Sequence, residues 1–153
     1  MTKNNQTIAI FILIPMLIFT FAVTVKSESI LILDESKKII YEYFEYINQK
    51  DINALSKLFT NKENIKNIEK EIDDIEQFSL ISIAEEDNKS IKKAYLKNDQ
   101  NLDENNTKIY KVKYKIVYKS NSKLKDKSGI YESWYFLTRK STSSKWLIDV
   151  FEK

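Results

Sequence analysis

Residues 110–119 read YKVKYKIVYK, and an apolar or aromatic side chain occupies every second position from Tyr110 to Tyr118. The intervening and following positions are mostly lysine, namely Lys111, Lys113, Lys115 and Lys119. Successive side chains of a β-strand point to opposite faces, so this period of two predicts a strand with one buried and one solvated face. The segments around it define the sheet to which it belongs.

Four other segments in the same half of the chain predict strands, because they are rich in β-branched and aromatic residues. They are residues 78–84 (FSLISIA), a weaker segment at 91–96, residues 130–139, and residues 145–151 (KWLIDVF). Asn, Asp and Ser are frequent in the connections between them, as is typical of turns. The last strand is apolar on both faces apart from Asp149, which predicts a central position in the sheet beneath helices.

Three helices are predicted before the strands. Asp34 can cap the first, in which apolar side chains recur at helical spacing between Ile39 and Ile47. Asp51 can cap a short second helix, and isoleucines at three- and four-residue spacing predict a third helix over residues 61–76. Helices followed by an antiparallel sheet predict an α+β fold, since the apolar helix faces have only the sheet to cover them.

Residues 8–25 form an uninterrupted apolar run, IAIFILIPMLIFTFAVTV, that begins at Ile8 and ends at Val25. A helix of this length spans roughly 27 Å, close to the roughly 30 Å of a hydrocarbon core. We predict a single-pass membrane anchor in residues 1–27, in contact with membrane lipid, and a domain in residues 28–153. Lys3 precedes the run, so the positive-inside rule places that domain outside the cell membrane.

A cleaved signal segment is the alternative to an anchor. Pro15 and Thr20 weaken the apolar run, and the tripeptides that end at Thr24 and Ser27 resemble signal-peptidase sites. Cleavage near Thr24 or Ser27 would release a secreted domain. The chain has no cysteine, so neither attachment of a lipid to cysteine nor a disulfide is available.

The composition excludes several functional classes. The chain contains neither histidine nor cysteine, which are the usual ligands of zinc and copper and common participants in nucleophilic catalysis. Its single glycine excludes a glycine-rich phosphate loop. We therefore expect no metal and no cofactor. Nucleic acid is also an unfavourable partner, because the tyrosines and lysines of residues 110–119 point to opposite faces and cannot share one binding surface.

Two segments carry a resemblance to a known superfamily. YEYFEYINQKDINALSKLF (residues 41–59) resembles the opening helix, acidic break and second helix of cystatin-like, or nuclear transport factor 2-like, proteins. SKWLIDVF (residues 144–151) is similar to their last strand, where a tryptophan and an aliphatic pair pack beneath the helices. The resemblance implies a cone of three helices on a curved antiparallel sheet of about five strands, in a small membrane-anchored or secreted bacterial member.

This superfamily includes isomerases and dehydratases with a conical pocket, so the resemblance also implies a candidate pocket. Such a site needs a carboxylate base and a hydrogen-bond donor that converge. Tyr43 and Tyr46 are the candidate donors, and Glu132 and Asp149 are the candidate carboxylates. Alternatively, the tyrosines are core residues with their hydroxyls at the rim, and Asp149 pairs with a lysine or caps a turn.

Charge is distributed unevenly along the chain. Residues 108–127 hold eight lysines and one acid, whereas residues 34–76 hold eleven acids and seven lysines. A basic surface that includes Lys111, Lys113, Lys115 and Lys119 could face an anionic envelope polymer or lipid headgroups. Alternatively, these lysines keep an exposed sheet soluble and prevent it from pairing with other sheets.

Together these patterns favour a function other than catalysis. We expect a membrane-tethered extracytoplasmic binding or assembly module that uses its concave sheet or a dimer face. Its partner would be another protein, a second copy of the chain or an envelope polymer. Two further classes stay open, namely a small pocket enzyme of the isomerase or dehydratase type, and a secreted ligand-binding or immunity protein.

Overall fold

The computed structural model describes residues 34–97 and 102–152. Within them the helices are α1 (Glu35–Gln49), α2 (Ile52–Ser56), α3 (Glu63–Glu71) and α4 (Lys89–Leu96). The strands are β1 (Ile75–Glu85), β2 (Thr107–Tyr118), β3 (Gly129–Thr138) and β4 (Leu147–Glu152). They form one antiparallel sheet in the order β1-β2-β3-β4. The predicted α+β class and the antiparallel sheet are confirmed.

Helix α1 begins at a buried polar network that joins it to β2. The Asp34 carboxylate caps the helix by accepting the backbone N–H of Ser36 at 3.0 Å and the Ser36 hydroxyl at 2.7 Å. The Ser36 hydroxyl also contacts the Tyr110 hydroxyl at 2.6 Å, and both residues are fully buried. Lys108 completes the network through an ion pair with Asp34. Burial alone would raise the pKa of Asp34, but the hydrogen bonds from Lys108 and Ser36 hold it well below its usual range.

Near its carboxyl end, α1 is joined to β1 by a single amide side chain. Asn48 donates to the Phe78 carbonyl at 2.7 Å and accepts from the Phe78 N–H at 2.9 Å. Because β1 lies at the edge of the sheet, these two backbone groups point away from β2 and have no strand partner. The Asn48 amide therefore substitutes for a neighbouring strand at Phe78.

Strand β4 lies at the opposite edge of the sheet, so the predicted central position is wrong. The connection between α2 and α3 covers that edge, because the Ile148 N–H donates to the Leu58 carbonyl at 2.7 Å. The Thr60 N–H donates to the Ile148 carbonyl at 2.9 Å, which forms a one-residue parallel bridge. Ile148 and Trp146 are buried beneath the helices. An apolar sequence is thus tolerated in an edge strand because other parts of the chain cover it.

The predicted strand over residues 91–96 is helix α4, which is why the sheet in the described residues has four strands rather than about five. Asn88 caps α4 by accepting the Ser90 N–H at 2.9 Å. Ile91 and Tyr95 are four residues apart and pack together on the sheet. A spacing of four residues fits one face of a helix. A segment of six residues is nevertheless too short to distinguish the helical period of about 3.6 from the period of two of a strand.

The third helix is also shorter than predicted. It ends at Glu71, a 3-10 turn covers Ile72–Asp74, and Ile75 already belongs to β1. Ile72 and Ile75 are buried although they lie beyond the end of α3. The apolar spacing therefore continues past the helix itself.

Apolar side chains are buried on both faces of the sheet. The main core lies on the inner face, which we define as the face covered by α1, and it includes Tyr110, Val112 and Tyr114 of β2. A smaller cluster lies on the outer face, where Tyr95 of α4 packs on Ile109 and Phe136. Lys111, Lys113 and Lys115 alternate with the core residues and are exposed, as the period of two predicts.

The predicted membrane segment, residues 8–25, lies outside the described residues. In the part of the chain that the structure describes, no helix has the length and apolar character needed to cross a membrane.

Replacement of Ser36 by alanine should destabilise the domain by about 1–3 kcal/mol, because the buried Tyr110 hydroxyl loses its close partner. The measurement is urea unfolding of the variant and the parent chain. Ser90→Ala is the matched control, since Ser90 occupies the same position after the cap of α4 but is exposed. We expect that variant to change stability by no more than about 0.5 kcal/mol. Equal losses in the two variants would contradict the proposed role of the Ser36–Tyr110 contact.

Candidate functional site

A cavity of about 420 Å³ lies between the inner face of the sheet and helices α1 and α3. Its size is within the range of small-molecule sites. Helix α1 and strand β1 contribute Tyr43, Ile47, Ile75 and Phe78, helix α3 contributes Asn64, Asn67, Ile68 and Glu71, and strands β2 and β3 contribute Tyr114, Ile116, Tyr118, Ser133 and Tyr135.

The periodicities of the elements explain how these residues come together. In β2, Tyr114, Ile116 and Tyr118 alternate with lysines and so project from the inner face. In α1, Tyr43 and Ile47 are one helical turn apart and face the sheet. In α3, Asn64 and Ile68 are four positions apart, as are Asn67 and Glu71, so these residues lie along one side of the helix.

Aromatic rings form a packed wall of the cavity. Tyr43 makes edge-to-face contacts with Phe78 and Tyr135, with ring centroids 5.9 and 5.8 Å apart. Phe78 also contacts Tyr114 at 5.2 Å. Edge-to-face pairs at these distances are favourable beyond the area that they bury. The rings are therefore held in place before any ligand arrives.

Two hydrogen bonds orient the polar groups of the cavity. The Tyr118 hydroxyl donates to Glu71 Oε2 at 3.0 Å, which links the end of α3 to β2. The hydroxyls of Tyr114 and Ser133 lie 3.0 Å apart and link neighbouring strands. At the rim, Asn64 donates to the Asp149 backbone carbonyl at 2.5 Å.

The phenols of the cavity stay protonated at neutral pH. Burial raises the pKa of Tyr43 and of Tyr135 far above the usual range. Burial also raises the pKa of Tyr118, and the neighbouring Glu71 carboxylate raises it further. Burial raises the pKa of Tyr114 as well. These groups can therefore orient a ligand as neutral hydroxyls, but they do not supply a phenolate nucleophile or base.

Among the four residues predicted for a pocket, Tyr43 lines the cavity and the others lie elsewhere. Tyr46 is half-buried beside the core, outside the cavity lining, and the charge of Glu42 raises its pKa. Glu132 lies on the outer face, where it forms an ion pair with Lys111 at 2.7 Å. It is separated from the cavity by the sheet.

Asp149 has a structural position at a bulge in β4. Leu137 pairs with Ile148 and Phe136 pairs with Val150, so Asp149 is the additional residue between two pairs. Its carboxylate accepts the Tyr95 hydroxyl at 2.6 Å and the Thr60 hydroxyl. Asp149 thus connects α4, β4 and the connection before α3. The alternative prediction is that Asp149 pairs with a lysine or caps a turn, whereas its side-chain partners are these two hydroxyls.

The predicted basic surface lies on the side of the sheet opposite the cavity. Lys111, Lys113 and Lys115 project from the outer face, and Lys111 is paired with Glu132. Lys119 follows the end of β2, where its N–H donates to the Asp74 carbonyl at 2.8 Å. Among the described residues, Lys113, Lys115 and Lys119 make no ion pair.

Sequence reasoning did not identify Glu71 as a residue of the cavity. The acids of α3 stand between the isoleucines that define its apolar face, a pattern typical of solvent-facing charge. The spacing of Glu71 three residues after Ile68 is the available signal, because it places both on one side of the helix. In residues 34–97 and 102–152 there is no group of three or more side chains that could hold a metal ion.

A family model for a domain of unknown function, DUF4829, matches residues 37–151 of the 153. The chain belongs to the DUF4829 family. The match spans α1 to β4 and therefore includes every element that lines the cavity. No curated protein matches this DUF4829 chain. Membership of the wider cystatin-like superfamily stays a prediction.

The raised tyrosine pKa values predict that the DUF4829 domain loses stability as pH rises above about 10. In that range the unfolded chain releases phenolic protons that the folded chain retains, so the free energy of unfolding falls with pH. Tyr118→Phe removes one of these groups.

The free energy of unfolding of the Tyr118→Phe variant should therefore fall less steeply with pH than that of the parent, although the variant also loses a hydrogen bond at neutral pH. The measurement is the urea midpoint at several pH values from about 8 to about 11. Parallel curves for the two proteins would contradict a raised pKa of Tyr118 in the folded chain.

Proposed function

We propose that the chain is a membrane-tethered extracytoplasmic binding module that holds a small ligand in the cavity between α1, α3 and the sheet. The observation that carries the proposal is the chemistry of the lining. It combines a pre-packed aromatic wall with a few oriented polar groups, an arrangement typical of sites that bind small molecules. The phenols in this wall stay protonated, so the arrangement favours binding over proton transfer.

Support for the tether comes from the apolar run over residues 8–25. Its eighteen residues match a membrane core of roughly 30 Å. Release of the domain after cleavage near Thr24 or Ser27 is the alternative form of this proposal. In both forms the domain acts outside the cytoplasm.

A nuclear transport factor 2-like cone is part of the proposal. It is supported by the order of the elements, in which three helices precede an antiparallel sheet, and by the burial of Ile148 in the last strand and of Trp146 just before it. Residues 58–60 contact this last strand, which joins the two segments that carry the resemblance. A protein partner, a second copy or an anionic envelope polymer on the Lys113 and Lys115 face is a further proposal, favoured by the exposure of these lysines.

The rival function is that of a small pocket enzyme of the isomerase or dehydratase type. The observation in its favour is Glu71, a carboxylate in the cavity with the Tyr118 hydroxyl 3.0 Å from Oε2. A carboxylate and a phenol can act as base and donor in such reactions. Conversion of a bound compound into an isomer or a dehydrated product would favour the enzyme, and recovery of the same compound would favour the binding module.

The tether and the location of the domain can be tested with the full chain in intact cells. Protease added from outside should remove the domain, while a cytoplasmic marker stays intact, because the proposed anchor leaves residues 28–153 exposed. The chain should stay with the membrane fraction after an alkaline wash. A domain in the medium whose amino terminus lies near residue 25 or residue 28 would indicate the cleaved form. Protection from protease together with recovery in the cytosol would contradict both forms.

Binding in the cavity can be tested by blocking its rim. Asn67 is exposed on α3 and lines the cavity, so Asn67→Trp should obstruct entry without disturbing the core. Native mass spectrometry of the full chain, purified from cells that make it naturally, should detect a bound small molecule. We expect its occupancy to fall at least about tenfold in the variant.

Lys66→Trp is the matched control for this experiment. Lys66 is the neighbouring exposed residue of α3 and does not line the cavity, and its exposed ion pair with Glu63 contributes little stability. This variant should keep the ligand. Equal occupancy in the two variants, or no bound molecule in the parent chain, would contradict binding at this site.

A further inference from the structure

The charge of the cavity lining is unusual for this lysine-rich chain. Lysine and arginine outnumber acids over the whole sequence, yet the lining contains one charged side chain, the Glu71 carboxylate, and no lysine or arginine. Its other polar groups are neutral amides and hydroxyls, from residues such as Asn67 and Ser133. An anionic ligand would therefore meet a carboxylate, and no cation of the lining would offset the repulsion.

Aromatic rings line the same cavity as this carboxylate. Five of the lining residues carry rings, namely Tyr43, Phe78, Tyr114, Tyr118 and Tyr135. The face of an aromatic ring carries partial negative charge, and it attracts an ammonium group more strongly when water is excluded. The phenols stay neutral because burial raises their pKa values, so no ring acquires a full charge at neutral pH.

Glu71 can accept a further hydrogen bond or ion pair. Its Oε2 atom accepts from Tyr118, whereas a carboxylate has about four acceptor positions on its two oxygens. The bond from Tyr118 also fixes the orientation of the carboxylate within the cavity. A cation in the cavity would thus meet a preorganised counter-ion rather than one that must be ordered on binding.

We infer that the ligand of this cavity is a small organic cation, with an ammonium group beside Glu71 and an apolar body against the aromatic wall. This inference rests on the proposed binding function, since it names the class of ligand for the same site. It makes the site selective by charge as well as by size.

The test compares three probes of nearly equal shape and different charge. They are choline, its neutral carbon isostere tert-butylethanol, and the anion of tert-butylacetic acid. Each is titrated by calorimetry into the full chain in lipid nanodiscs, with empty nanodiscs as the blank. We expect choline to bind at least about tenfold more tightly than the neutral isostere, and the anion to bind most weakly.

Two variants locate the source of the charge preference. Glu71→Gln removes the charge but keeps an oxygen that can accept from Tyr118, so the fold is preserved and the preference for choline should fall to what the aromatic rings alone supply. Glu132→Gln makes the same change on the outer face of the sheet, and this control should keep the preference.

The possible outcomes separate this inference from the proposed function. Equal affinity for choline and tert-butylethanol, or equal effects of the two variants, would overturn the inference while leaving a neutral-ligand site in place. Tighter binding of the anion would overturn it as well. If none of the probes binds at millimolar concentration, the inference also falls, and the bound molecule detected by mass spectrometry decides the proposed function separately.

Discussion

The attachment of α1 to the sheet is the constraint on which the rest of the structure depends. The helix is fixed at its beginning by the buried contact between Ser36 and Tyr110, and near its end by the Asn48 amide on the backbone of Phe78. Between these polar ties, apolar side chains of α1 pack on the inner face of the sheet. Hydrogen bonds are directional, so they determine the position of the helix more narrowly than apolar burial alone does. The position of Tyr43, and with it one wall of the cavity, follows from this attachment.

Strand β2 gives the two faces of the sheet their different chemistry. Its alternation places tyrosines on the inner face and lysines on the outer face, so one segment builds the aromatic wall and the exposed basic row. The two surfaces are separated by the thickness of the sheet. The proposed binding in the cavity and the proposed contact with an anionic surface therefore use opposite faces, and they can be tested by separate substitutions.

The sequence predicts those parts of the fold that a single strong periodicity controls. The caps at Asp34 and Asp51, the helical face of α1 and the alternation of β2 all agree with the structure. Prediction fails where short segments carry few apolar residues. The segment at residues 91–96 has too few of them to separate a strand from a helix. The cap that marks the start of this helix is Asn88, which lies before the segment. The edge position of β4 depends on residues 58–60, a long-range contact that no local pattern reveals.

The candidate site was harder to predict than the fold, because its residues come from five separate elements. Tyr43 could be identified, since a tyrosine on an apolar helix face must be near the core. Glu71 is less easily identified, because an acid at the end of a charged helix is ordinarily solvent-facing. The position of Asp149 depends on a bulge, and a bulge changes which way a side chain points without altering the composition of the strand.

The coverage of the sheet edges limits how this domain can recognise another polypeptide. An incoming strand that sought to extend the sheet would have to displace the Asn48 amide at Phe78, or residues 58–60 at Ile148. Recognition by β-augmentation is thus disfavoured at both positions. At these two positions a peptide partner would instead have to be recognised through its side chains, and this makes its sequence, rather than its ability to form a strand, the basis of selection there.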